Sequence, residues 1–417
     1  MKKLFVLLTI IALAAIAVPT AMATNGDNLI GVGPTSRAMG GVGIADPQDA
    51  ISAVFSNPAA MCFGPYCPSS EFNFAGTLFA PKVESKVTNF AGTYSAESEE
   101  NIYMIPAIGV SVPIGDESSL WRFGLAAYGV SGLGVDYRGT AIDDPAFYGA
   151  GAPMVAGEYT NLQIMKFAPS VAYQASPKLS FGLAAHVDYG MLDLRSGTSS
   201  GYAFGVQPGM IYKPTDNASL GLTYVSPQKV THKNVLIFGA LYDLDLESPQ
   251  TLGLGLAYDF GDSGLLVGFD VKWLNWSDAA GYSDFDWDDQ WVYALGASFK
   301  ATDKLNLMAG YNYGENPVKN HNGFDGTGGN FTNVQGISLP TYYYETFRII
   351  GFPAIVEHHL TLGIAYHFTD SFIMTLGYMH AFENDIKQSG TDLAGQPVTL
   401  ESTLSEASYD FGLTWRF

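Results

Sequence analysis

Positive charge is scarce in this chain. Twenty lysines and arginines stand against 40 aspartates and glutamates, a formal net charge of −20, which argues against a nucleic-acid partner and against a surface that seeks anionic lipid. Charged residues of either sign make up only 14% of the sequence while 13% are aromatic, so the acidity is not that of a disordered polymer. Enzyme signatures are missing too: neither an H-E-x-x-H helix nor a G-x-x-x-x-G-K loop occurs. The adjacent His358 and His359 would point to opposite faces of a strand and could not share a metal. No catalytic role, cofactor or metal is expected. Beyond the first residues, no apolar run reaches the roughly 18 residues of a membrane-spanning helix.

Those first residues carry an address. Lys2 and Lys3 precede an apolar run from Leu4 to Val18, then Pro19 and the small-residue site Ala21, Met22, Ala23. This is the pattern of a secretory signal peptide over 1–23, with the mature chain starting near Thr24. Export bears on the only two cysteines, Cys62 and Cys67 in CFGPYC. An oxidising compartment favours a disulfide closing this loop; two free thiols are the alternative, and no nearby Cys or His completes a zinc set.

What the chain has in abundance is alternation. It ends YDFGLTWRF, with Tyr409, Phe411, Leu413, Trp415 and Phe417 on one face and Asp410, Gly412, Thr414 and Arg416 on the other, as suits a strand between lipid and a polar interior. From Ser70 onward about fourteen such segments can be read, the first at 70–80 and the last at 405–417, which predicts an all-β transmembrane antiparallel barrel over 70–417. Short turns, such as 176–179 and 261–264, alternate with long junctions at 131–158, 228–246, 277–289, 315–356 and 384–404. Short turns mark the periplasmic rim of a bacterial outer-membrane barrel, and both chain ends are expected there. In one segment Val267, Phe269, Val271 and Trp273 would face lipid and Asp270 and Lys272 the lumen, since a lysine at the hydrocarbon midplane costs about 2 to 4 kcal/mol. The same parity turns Lys166, His186, Asp188, Asp259, His359, His367, Asp410 and Arg416 inward.

Residues 24–69 read differently. They are rich in Gly and Ala, lack alternation, and suggest a helix from Asp46 to Phe55 with Asp46 as N-cap and Pro47 at its first position. Too short for a domain and too apolar for a free tail, the segment is expected to plug the lumen as a hatch, with Arg37 held by a wall carboxylate such as Asp188 or Asp410. The run SDFDWDDQW gathers Asp284, Asp286, Asp288 and Asp289 in an acidic outer loop, suited to meeting lipopolysaccharide phosphates through divalent ions. It fails the spacing of a calcium loop, having Asp289 at the sixth position and Leu295 at the twelfth.

Several blocks together resemble the FadL family (FadL/OmpP1/TodX-like) of outer-membrane transporters for fatty acids and other hydrophobic compounds. They are PTSRAMGGVGIADPQDAISAVFSNPAAM with its Ala45–Asp46 pair and Asn57, Pro58, Ala59 triplet, GLTYVSPQKVTHK, KWLNWSD, WVYALGASFKATDKLNLMAGYNYGENPV, HHLTLGIAYHF and LGYMHAF. The resemblance implies a fourteen-stranded barrel closed by an N-terminal hatch, an apolar pocket inside, and passive sideways exit beside an inward kink in the third strand. That strand is WRFGLAAYGVSG, where Gly124, Gly129 and Gly132 would permit the kink or merely accommodate barrel curvature. It also implies fatty acids or aromatic hydrocarbons as ligands and outer-membrane lipid and lipopolysaccharide as surroundings. A monomer is expected. Aromatics of the long loops, Phe147, Tyr148, Phe347 and Phe352 among them, are candidates for substrate contact or for a lid. Lys166, Lys272 and Arg348 are candidates to meet a carboxylate head or to form structural ion pairs. A general diffusion porin, a non-transporting adhesin and an outer-membrane lipid hydrolase are the rival readings.

Overall fold

The computed structural model describes residues 24–99, 102–143, 154–238 and 240–417. The expected signal peptide over 1–23 and the loop aromatics Phe147 and Tyr148 lie outside the described residues. Fourteen antiparallel strands close into one barrel. They are β1 (Glu71–Asn89), β2 (Tyr103–Pro113), β3 (Trp121–Asp136), β4 (Tyr159–Ser176), β5 (Leu179–Asp193), β6 (Ser199–Tyr212), β7 (Ala218–Val225), β8 (Thr251–Asp259), β9 (Leu265–Leu274), β10 (Gln290–Thr302), β11 (Leu305–Gly314), β12 (His358–His367), β13 (Phe372–Thr391) and β14 (Pro397–Arg416). Closure is made by β14 on β1, in register from Thr399 opposite Thr88 to Arg416 opposite Glu71.

The period-2 pattern sets the two faces. On β8 Leu252, Leu254 and Leu256 are 42%, 56% and 52% exposed, an apolar row that only hydrocarbon would cover favourably. On β9 Phe269 points out while Asp270 is fully buried inside. Near the short-turn rim, Trp121 packs on Tyr173, Tyr258 on Phe260, and Phe372 on Trp415, the aromatic girdle of a membrane interface. Lys166, His186, Asp188, His359 and Asp410 are buried inward as the parity requires, whereas Asp259 is exposed at the rim, its carboxylate accepting the Gly261 N–H of the turn.

The long junctions hold more order than their composition suggests. At 384–404 there is no open loop: β13 and β14 stay paired out to Thr391 and Pro397, past a bulge between Ala381 and Asn384. The 20 residues of β14 span about 65 Å at 3.2 to 3.4 Å each, where 9 to 11 residues cross a bilayer. The 228–246 region is a hairpin, Gln228–Phe238 with Ala240–Ser248, folded into the barrel against β5 and β6. Room for it comes from wall glycines: a Cβ on Gly201 or Gly205 would lie 2.9 Å from Val230 or 2.6 Å from Gln228. The 315–356 junction carries a helix, Thr341–Thr346, continued by a π turn, Phe347–Gly351.

Residues 24–69 fill the lumen with helix α1 (Pro34–Ala38), helix α2 (Ala50–Ser56) and a 3-10 turn, Pro58–Cys62. Helix α2 starts at Ala50 and not at Asp46, because Asp49 and Ser52 form a reciprocal capping box. The wall then takes the free N–H of Ala50, bound by Glu71 Oε1 and Asn73 Oδ1 at 2.9 Å each.

Candidate transport site

The hatch is held at three kinds of contact. Arg37 Nε donates to Asp410 Oδ1 at 2.8 Å and its Nη2 to Ser408 at 2.6 Å, so Asp410, and not Asp188, is its wall carboxylate. On β9, Asp270 accepts the Gly43 and Ile44 N–H at 2.8 and 3.0 Å. Asn57 caps the 3-10 turn through Ala59 N–H and donates to the carbonyls of Ile44, Met210 and Leu222, with Pro58 at the first position of that turn. Glycines on the inner wall let the hatch backbone come this close. A Cβ on Gly182 would sit 2.2 Å from Ala59 N, and one on Gly310 2.2 Å from Gly40 N.

Above the hatch lies an inner cavity of about 110 Å³, lined by Asn25, Asn28, Leu29, Ile44, Phe55, Tyr128, Val130, Val225 and Leu274 with the polar groups Lys166, His186, Gln207, Gln228 and Lys272. Lys166 Nζ donates to Gln228 Oε1 at 2.5 Å and lies 3.5 Å from Asp188. Lys272 Nζ has one hydrogen bond, to Ile30 O at 3.3 Å. Gln228 Nε2 is buried and unpaired. Two ammonium groups and a spare amide donor therefore edge a largely apolar space.

A second space, about 300 Å³, opens through the wall between β2 and β3. The two strands pair from Pro113 opposite Arg122 to Ala107 opposite Tyr128 and then part. Pro106, which has no N–H to give, stands where the ladder stops. A bulge between Gly129 and Ser131 against β4 turns β3 away, and the freed edge pairs with the hatch, Ser131 opposite Asn28 and Gly132 N donating to Asp27 O. Phe79, Ile102, Met104, Leu133 and Ile164 line the opening. Gly129 and Gly132 are thus at the kink. Gly124 is in regular ladder and faces the hatch, where a Cβ would meet Met61 Sδ at 2.3 Å.

Other expected site residues sit elsewhere. Arg348 is fully buried in the outer lid, its donors spent on Phe285 O, Glu345 and Lys319 O at 2.6 to 2.8 Å. Phe347 and Phe352 pack on Phe285 in the same lid and line neither cavity. Asp46 is not a helix cap, and burial raises its carboxyl from 3.8 to about 6. Cys62 and Cys67 are free thiols, not a disulfide; Cys67 Sγ donates to Met61 O at 3.1 Å instead. In the acidic loop Asp286 and Asp288 are paired with Lys319. Thr24, the first described residue, hydrogen-bonds to Glu406, ten strand positions from Arg416, well inside the barrel. The one G-x-S-x-G spacing, Gly197–Gly201, crosses from a loop into β6 and forms no strand-to-helix elbow.

A plugged barrel with an inner cavity and a gap in its wall defines an outer-membrane channel for hydrophobic solutes. The chain belongs to the family described as outer membrane protein transport protein (OMPP1/FadL/TodX), which its sequence matches over residues 10–199 and 191–323. The toluene transporter TodX of P. putida has a similar structure, with a TM-score of 0.65 at 19% identity over 93% of this chain and 99% of that one. A Pseudomonas aeruginosa FadL homologue gives 0.68 at 14% identity over 96% and 100%, and the Ralstonia pickettii toluene transporter TbuX 0.63 at 16% over 93% and 98%. No curated protein sequence matches the chain.

Proposed function

We propose that this protein passively imports long-chain fatty acids, or hydrophobic molecules with a comparable acidic head, and releases them sideways into the outer membrane. The observation that carries this reading is the inner cavity's polar edge. Lys272 with a single carbonyl bond and Gln228 with an unpaired amide suit a carboxylate, while Leu29, Phe55, Val130 and Leu274 suit a chain. Each methylene kept out of water favours this route by about 0.8 kcal/mol. From the cavity the path crosses segment Thr24–Leu29, which has Asn25 and Leu29 on the cavity side and Thr24 on the side of the wall opening. The opening starts about seven to eight residues from the short-turn ends of β2 and β3, at Pro106 and Gly129, within the span of 9 to 11 tilted residues that crosses the hydrocarbon.

In this reading a signal peptide over 1–23 is removed, residues 24–69 form the hatch, and the barrel works as a monomer in outer-membrane lipid and lipopolysaccharide. Binding of a labelled fatty acid and of a neutral arene to the purified protein tests it. Lys272→Met is expected to weaken the acid roughly 10- to 100-fold, the worth of a charge-assisted hydrogen bond, and to leave the arene unchanged. Equal loss for both would favour a neutral hydrocarbon substrate. Undiminished growth on oleate and undiminished uptake after deletion would point instead to an adhesin or a general porin.

A further inference from the structure

Glu406 is buried on β14, and among the described residues no basic side-chain nitrogen lies within 4.0 Å of its carboxylate. Arg37 acts on it only at longer range, its guanidinium being committed to Asp410 and Ser408. The groups that do reach Glu406 belong to Thr24: Oγ1 stands 3.3 and 3.5 Å from the two carboxylate oxygens, and the backbone nitrogen also hydrogen-bonds to it. An unpaired buried carboxylate costs several kcal/mol. A neutral amide at Thr24 leaves that cost in place.

We propose that hydrolysis of the Ala23–Thr24 peptide bond by a membrane signal endopeptidase supplies the missing counter-ion, the α-ammonium created on Thr24 pairing with Glu406 and pinning the partition Thr24–Leu29. Water adds across the bond: Ala23 leaves as a carboxylate, and the new α-amine of Thr24 takes up a proton, since such amines ordinarily titrate near about 8. The Ala21, Met22, Ala23 site places the cut at this position, and the geometry gives the position a purpose. A terminus one residue earlier or later would set the charge off Glu406. Processing and hatch closure are thereby coupled, whatever the channel carries.

The test uses protein purified from outer membranes. Intact mass is expected to show a chain starting at Thr24. Acetylation by an amine-reactive ester at pH 7.5, read by mass spectrometry, is expected to modify the Thr24 α-amine at least about sixfold more slowly in wild type than in Glu406→Gln, because a carboxylate that raises an amine of pKa about 8 by one unit lowers its neutral fraction at that pH about 6- to 8-fold. Glu406→Asp, which keeps the charge, is expected to restore most of the protection. Should Glu406→Gln fail to assemble, the wild-type pH profile decides: half-maximal labelling well above pH 8 supports the pair, and at or below 8 refutes it. A mature start other than Thr24, or equal labelling of wild type and Glu406→Gln, also overturns the proposal.

Discussion

Replacing Arg37 by Met removes the only charged contact between α1 and the wall among the described residues. Its partner Asp410 is 4% exposed and would keep only the hydroxyls of Thr77, at 2.5 Å, and Ser408, at 3.2 Å. Breaking a buried pair in this way costs about 3 to 5 kcal/mol, and at 1.36 kcal/mol per tenfold the ratio of seated to unseated hatch falls by roughly 10² to 5 × 10³. The hatch is not expelled outright, because Asp270, Asn57 and the wall glycines still hold it. Planar-bilayer recordings of Arg37→Met should therefore show ion-conducting openings that wild type lacks, and cells should become sensitive to antibiotics normally excluded by size. The double variant Arg37→Met, Asp410→Asn should close more often than either single one, since it leaves no unpaired charge. Wild-type conductance in both single variants, with the barrels shown to be folded by heat-modifiable mobility, would refute the argument.

Three other outcomes follow from the same geometry. Gly310→Ala, whose Cβ would stand 2.2 Å from Gly40 N and from Met39 C, meets backbone that cannot rotate aside and should unseat the hatch, making residues 24–69 accessible to limited proteolysis. Alkylation without reductant should add two labels after unfolding, because Cys62 and Cys67 are unbonded; before unfolding Cys62 should react slowly, its thiol pushed up to about 12 by burial and by Cys67. Burial raises the Asp27 carboxyl from 3.8 to about 6, so the seated hatch binds a proton that the open chain releases. That stabilisation is full below about 3.8, is lost as pH rises through about 6, and amounts to roughly 3 kcal/mol. Amide exchange at residues 26–29, corrected for intrinsic rates, should quicken from pH 4 to 7 in wild type and stay level in Asp27→Asn.

Much of the barrel was legible because its signal is local. Side-chain parity fixes each strand's inner and outer face, and turn residues punctuate the short rim, so fourteen segments and the inward placement of Lys166, Asp188 and Asp410 could be read directly. The hatch was legible as a plug, and Arg37 as its tether, from composition and the lone cation in an apolar segment. What escaped depends on contacts between distant segments. At helix α2 the Asp49–Ser52 capping box that sets the start is local, but the hold of Glu71 and Asn73 on β1 upon the Ala50 N–H comes from another segment, which no local cap rule contains. Gln228 reads as loop until the hairpin folds inward. Arg348 resembles a ligand group until Phe285 O and Lys319 O are brought to it. Pro106 was the available clue to the wall gap, since a proline inside a strand marks an edge, and glycines spread along the third strand drew attention from it.

The gap itself raises a problem that the hatch solves. In hydrocarbon, an open sheet edge leaves backbone N–H and C=O groups unpaired at several kcal/mol each, so a wall that merely parted between β2 and β3 would be penalised at the opening. On the β2 side Pro106 removes one donor from the edge. On the β3 side Ser131 and Gly132 are met by Asn28 and Asp27 of the hatch, while residues 133–136 remain paired to β4. Segment Thr24–Leu29 thus stands in for the missing length of β2 as well as dividing the two cavities. A barrel lacking that segment would have to rezip β3 onto β2, where Pro106 and the bulge at Val130 oppose pairing, or leave the edge bare. The same short stretch therefore both closes the wall opening and makes a wall containing it stable, so on the proposed lateral route a displaced Thr24–Leu29 must return quickly, because an apolar solute offers the β3 edge no hydrogen bonds.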